Sequence, residues 1–288
     1  MNVGAMIRFI IVAGWASFFI FHIVKHAAPG LGLTERNAFA TALAANLGRS
    51  YVYNLQRTST AKLQRIGECT MSFQRNENGF ELETIIHLED VALLAPGISL
   101  IPSLSEKSSR QMHVSMTELL DTKHRLVGLK GSGNILGLEA TGEGIVTEAG
   151  FTGTYSLNDG APTAFSRPDI KSDVSNGNDF AVTLPPGLVP GDRFTSRMVS
   201  PDFTSLQLNA VTAIYTVEPH ESITTVAGHL SLLRVTMQVD NRTVATLWCD
   251  HNGTVFRSRQ QDGMELALTT IREIGGKILW PRAFSFAP

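Results

Sequence analysis

The chain has 288 residues, 43% of them hydrophobic and 17% charged, with a formal net charge of −2. That length leaves room for one large or two small domains, and the charge balance gives no electrostatic footprint for nucleic acid. Low charge density with 25 glycines suits a β-rich domain better than a helical one.

Phe9–Val24 reads FIIVAGWASFFIFHIV, the one unbroken apolar run that approaches a bilayer span. As a helix it covers ~24 Å against a hydrocarbon core of ~30 Å. Ala5–Ile7 extend it past Arg8, whose long side chain can snorkel to the headgroups. A removed signal peptide is the alternative. Lys25 and His26 follow the run directly, however, and Pro29 after Ala27-Ala28 makes a poor cleavage site. Residues 1–28 are therefore expected to form an uncleaved, single-pass anchor. Arg8 lies on one side and Lys25, Arg36 and Arg49 on the other, a bias opposite to the one expected for an exported domain. Long domains translocate despite such a bias, so the nature of the domain decides the orientation. His22, inside the run, is the sole cofactor-binding candidate, as an axial ligand to a haem or chlorophyll-type pigment. The alternative we adopt is an interfacial ring like Trp15, with no cofactor.

Residues 29–50 read as a Gly/Pro linker and a juxtamembrane helix. Thr34 can cap that helix, Phe39, Leu43 and Leu47 form one stripe, and Gly48 ends it. From Tyr51 the period changes to two. Lys62–Phe73 and Gly79–Glu89 flank the turn cluster Asn76-Glu77-Asn78-Gly79 and predict a hairpin. Val91–Leu104 is apolar and broken by Pro96-Gly97 and Pro102. It is either a buried crossing or a contact surface; Leu93, Leu94, Ile98 and Leu100 are its interaction candidates. Met112, Val114 and Met116 alternate with polar residues, as in a strand with one wet face. Short strands are expected at Leu126–Lys130, Asn134–Glu139, Gly144–Glu148 and Phe151–Ser156, with turns at Gly131-Ser132-Gly133 and Ala149-Gly150. Links this short require antiparallel neighbours, hence a meander.

Ser166–Asp179 reads as an exposed loop, with a sub-boundary near 166–180. Strands at Arg193–Val199 and Gln207–Val217 follow. Leu233, Val235, Met237 and Val239 face one way along the next strand. Val244–Cys249 and Thr254–Arg259 flank the hairpin signal His251-Asn252-Gly253, and Met264–Ile271 alternates again. Residues 51–288 thus read as one mainly β domain, an antiparallel meander or half-barrel whose inner face needs a helix, a second sheet or a ligand. The tail, with Trp280, Phe284 and Phe286, shows no strand or helix pattern. Its aromatics are expected to dock on the domain or on a partner.

Three stretches carry a resemblance. They are Glu118-Leu-Leu-Asp-Thr-Lys-His-Arg-Leu126, Leu184-Pro-Pro-Gly-Leu-Val-Pro-Gly-Asp-Arg193 and Leu247-Trp-Cys-Asp-His-Asn-Gly-Thr-Val-Phe-Arg257. Across Ala61–Glu273 the chain resembles the β-domain that precedes the catalytic module of bacterial transglutaminase-like proteins. It is also similar to exported half-barrel domains of the lipoprotein-carrier kind. The resemblance implies an extracytoplasmic, non-catalytic sheet. The catalytic module would follow Ile274, so no catalytic residue carries over.

The residues suggest no chemistry of their own. Cys249 and His251 share a strand end, but Asp250 points the other way, so no nucleophile–base–orienter set forms. His87, Glu89 and Asp90 offer too few ligands for a transition metal. Cys69 and Cys249 could pair if the domain is exported; the reading preferred is two half-buried thiols in strands. The expected role is a non-enzymatic accessory subunit without catalytic or metal residues, held in the inner membrane with its domain in the periplasm. Its partners would be the membrane and a larger protein complex, of which an energy-converting one is an example. The alternative is a membrane-tethered lipid or lipoprotein carrier, with an apolar cavity lined by Leu233, Val235, Met237, Leu266 and Leu268.

Overall fold

The computed structural model describes residues 35–59, 62–90, 111–135, 137–171, 184–202 and 207–281. The expected span, Trp15, His22, Leu93, Leu94, Ile98, Leu100, Phe284 and Phe286 lie outside them. Among the described residues no helix is long and apolar enough to cross a membrane.

One helix, α1 (Glu35–Asn46), leads into a single antiparallel sheet. Its first strands are β1 (Arg49–Ser59), β2 (Lys62–Asn76), β3 (Gly79–Leu88) and β4 (Met112–Asp121). Next come β5 (Leu126–Ile135), β6 (Leu138–Thr147), β7 (Gly150–Leu157) and β8 (Thr163–Arg167). The second run holds β9 (Arg193–Asp202), β10 (Gln207–Thr225), β11 (Gly228–Val239), β12 (Arg242–Cys249), β13 (Val255–Gln260), β14 (Met264–Glu273) and β15 (Ile278–Trp280). Each run is a meander of neighbours. The pairing of β1 with β14 joins the runs, leaving β8 and β9 as the outer strands.

Turn chemistry explains most of the reversals. Asp240 and Asn241 both take positive φ, 49° and 60°, as a two-residue turn matched to strand twist requires. At the β4–β5 turn the Asp121 carboxylate accepts N–H bonds from Lys123 at 2.8 Å and Arg125 at 2.9 Å. Partial burial would raise its pKa, but those bonds and the Arg125 charge win and hold it below the usual carboxylate value.

The sheet is curled. β9 stands six strands from β1, a distance of ~29 Å on a flat sheet at ~4.8 Å per strand. Yet α1, only ~18 Å long, leads into β1 and packs against β9. Only a sheet wrapped around the helix satisfies both. Its ends meet where Arg197 of β9 donates from Nη2 to the Asp169 carbonyl, just past β8, at 3.3 Å. The mainly β half-barrel expected from the period-two pattern is what forms.

Two local expectations need correction. Gly131-Ser132-Gly133 lies within β5 and is not a turn; the reversal comes at Gly137, with φ +81°. Gly133 sits in the strand because neighbouring backbone crowds it. A Cβ on Gly133 would lie 2.7 Å from the His113 carbonyl oxygen. The tail also holds a strand: Ile278 and Trp280 pair with Arg272 and Ile271. The Trp280 ring meets Phe256 edge to face at 5.2 Å, which gives those short residues an anchor.

Candidate functional site

The inner face, the side carrying Tyr51 and Tyr53 beneath α1, divides into a filled half and an open half. The filled half runs from β1 through β14 to β9. Leu43 of α1 packs there in one cluster with Tyr51, Tyr53, Leu266 and Leu268. The Tyr51 hydroxyl donates to the Asn46 side-chain oxygen at the end of α1. That of Tyr53 donates to the Val255 carbonyl at 2.9 Å. Both rings are buried with their polar ends satisfied. Desolvation raises the pKa of both phenols, that of Tyr53 well above 10.

Residues 184–192 close the rest of this half. Leu184 and Leu188 enter the cluster formed by Phe194, Tyr215, Leu233, Val235, Met237 and Leu247. The segment LPPGLVPGD suits a packed loop because its prolines have no N–H to satisfy. Leu184, Gly187 and Gly191 donate to the carbonyls of Gly253, His251 and Val217, each at 2.8 Å. Gly253 makes this approach feasible. It has φ +79°, and a Cβ there would lie 1.9 Å from the Leu184 oxygen.

The side chains expected to line a cavity, Leu233, Val235, Met237, Leu266 and Leu268, are instead packed in the two buried clusters. These side chains are no more than 2% exposed. The alternation correctly put them inside; α1 and the 184–192 loop occupy the space they face.

The open half runs from β3 to β8. Register places its inner residues in rows across the strands. At the height of Cys69 the row is Ile86, Val114, Gly133, Ala140 and Leu157. Two residues along each strand it is Thr84, Met116, Gly131, Gly142 and Tyr155. Two further on it is Leu82, Glu118, Leu129, Gly144, Gly153 and Phe165. Thr84, Glu118 and, opposite Tyr155 on β8, Thr163 break this apolar and glycine surface.

Burial grades along the strands. At one end Leu120, Leu126, Val146 and Phe151 are buried. The Phe151 ring fills the space over Gly144, where a Cβ would come 2.5 Å from its Cε2. Phe165 meets Phe151 edge to face at 5.2 Å and closes that end. Toward the other end the face is wet on β6 and β7, where Leu138 is 54% exposed, Leu157 49% and Tyr155 41%, while Leu88 of β3 stays buried.

Glu118 stands where the closed end gives way to the open rows. It is 5% exposed, and among the described residues its Oε2 has no hydrogen-bond partner. Burial alone pushes its pKa up to about 8. At neutral pH it is thus an uncharged acid able to donate. The sequence held a signal for it that went unread: Glu118 continues the inward parity of Met112, Val114 and Met116, so a carboxyl occupies an apolar position.

The other singled-out residues are dispersed. Cys69 and Cys249 are free, buried and in separate clusters, and burial pushes both thiols up to about 12. Asp250 accepts the N–H groups of Asn252 and Thr254 at 2.9 Å each and shapes the hairpin, while His251 is exposed. His87 faces His113 on the outer side with ring centroids 6.3 Å apart. Among the described residues no group of three or more His, Cys, Asp or Glu could hold a metal ion. Also on the outer face, Arg257 and Arg259 each lie 5.6 Å from the Trp248 ring and pair with the buried Glu265. Of the aromatic tail, Trp280 is half-buried on its own domain.

No protein-family model matches the chain. No curated protein matches it either. Among solved structures it is similar to a β-barrel-like protein of the domain of unknown function DUF1849 from Brucella abortus. The identity there is 8% and the TM-score 0.45, over 80% of this chain and 97% of that one. It is also similar to a DUF1089 family protein from Pseudomonas aeruginosa, at 14% identity and TM-score 0.37, over 65% of this chain and 87% of that one. The resemblance to transglutaminase-associated β-domains rests on the quoted stretches alone.

Proposed function

We propose that the chain is a membrane-tethered, non-enzymatic carrier of a lipid or lipoprotein, holding an acyl chain on the open half of its inner face. The observation behind this reading is the contrast between the halves. Where α1 and the 184–192 loop lie, the inner apolar residues are dry; from β3 to β8 the same kind of surface meets water at Leu138, Tyr155 and Leu157. Covering apolar surface is favourable by ~25 cal/mol per Å². The tether is the run Phe9–Val24, with the domain on the extracytoplasmic side, the placement that the β-domain resemblance implies.

The rival reading is an accessory subunit bound to a larger membrane complex, which needs an apolar patch on the outside. Among the described residues Ile145, Val226 and Ile278 are exposed, but they lie on separate parts of the sheet; Leu93, Leu94, Ile98 and Leu100 lie outside those residues. Single exposed apolar side chains are ordinary on any surface. The acyl reading is therefore preferred. Full-length protein purified from its own membrane in a fluorinated surfactant should carry extractable acyl lipid, and Ala140→Trp should strip it. Lipid content unaffected by that substitution, with the chain held in a stoichiometric complex, would favour the subunit instead.

A further inference from the structure

We propose that Glu118 is the ligand's polar anchor, donating a hydrogen bond to the acyl carbonyl oxygen. This deepens the carrier reading and rests on it. Glu118 lies at the inner limit of the open rows, beside Leu82 and Leu129. From Glu118 to Met112 the strand runs ~20 Å at ~3.4 Å per residue, and the intervening inner positions, Met116 and Val114, are apolar. A chain lying along them toward the open end would set its carbonyl near the carboxyl.

The carboxyl needs such a partner. A buried polar atom left unpaired is costly, and no described side chain or backbone group bonds to Oε2. The nearest inner positions on the flanking strands, Leu82, Thr84, Leu129 and Gly131, carry no charge. The titratable groups facing it from two strands either side are the buried Cys69 thiol and the exposed Arg75; His124 stacks on Phe80 at 4.7 Å beyond the closed end. None neutralises a carboxylate, and only burial is seen to shift Glu118. In its neutral form the group has one O–H to give. A carbonyl acceptor takes it without bringing charge inside, whereas an ammonium would bury an ion pair, with its desolvation penalty.

The test uses the full chain in fluorinated surfactant with three probes: methyl palmitate, hexadecane and hexadecylamine. Methyl palmitate should bind about tenfold tighter than hexadecane, the value of one hydrogen bond. Glu118→Leu should erase that advantage and Glu118→Gln, which keeps a donor, should retain it. In the parent protein the advantage should fade as pH rises through about 8, and in Glu118→Gln it should not. An advantage that survives Glu118→Leu, or hexadecylamine binding tightest with affinity rising with pH, overturns the proposal. Ester and alkane binding equally, with Ala140→Trp blocking both, would overturn the anchor and leave the carrier standing. If neither binds, the carrier reading falls too.

Discussion

Arg197 and Asp169 join the two ends of a sheet that has no pairing of its outer strands. Nη2 of Arg197 reaches the Asp169 carbonyl at 3.3 Å, and the Asp169 carboxylate is held by Arg167 at 3.0 Å. Arg197→Ala should lower unfolding free energy by ~1.5–3 kcal/mol, the range for a hydrogen bond with a charged donor. Urea unfolding gives the number. Amide exchange should accelerate in β8 and β9 and leave β1 and β14 unchanged; a uniform increase would show that the contact does not act as a local clasp.

Gly253 is the second point at which the fold turns on one position. Any side chain there meets the Leu184 carbonyl, and the left-handed backbone adds strain. Gly253→Ala should cost roughly 2–4 kcal/mol, through strain and overpacking combined. Its second effect should be release of the 184–192 loop, seen as faster exchange at the Gly187 and Gly191 amides. A variant as stable as the parent would mean that the loop is not seated on this hairpin.

Glu118 makes stability depend on pH. Its carboxyl titrates near the ordinary value of 4.5 in the unfolded chain and at about 8 in the fold. Between those values the folded state holds a proton that the unfolded state has lost. Its stabilising contribution is therefore complete below about pH 4.5, declines as pH rises, and is gone above about 8. Glu118→Gln should flatten that slope and make the protein more stable at pH 9 by ~2–5 kcal/mol. Thermal melts across pH 5–9 would show it; parallel profiles for the two proteins would mean that the carboxyl is solvated.

Period-two patterning was enough to place most strands and their inner residues. Leu233, Val235 and Met237 face inward as their alternation requires. What occupies the space before them was not legible, because it depends on two distant segments, Leu43 of α1 and Leu184 with Leu188, docking on the same concavity. Local pattern carries no information about such long-range packing. The glycines of β5 misled for the opposite reason. Gly131 and Gly133 look like turn residues in isolation, and at Gly133 only the cross-strand neighbours His113 and Val114 reveal the need for a small residue. The β1–β14 pairing that joins the two runs links residues more than two hundred apart, such as Val52 and Thr270, and nothing local marks it. Glu118 was readable, since a charged residue at an inward parity is itself the anomaly.

Function as a carrier requires that the open rows be a place for an acyl chain. Photo-crosslinking with a palmitoyl chain carrying a diazirine near its end, on the full-length protein, tests this most directly. Adducts mapped by peptide mass spectrometry should fall on inner positions of β4 to β7, at Val114, Ala140, Tyr155 and Leu157. Adducts on the outer face, at Ile145 or the Trp248 cluster, or none within the sheet, would contradict it.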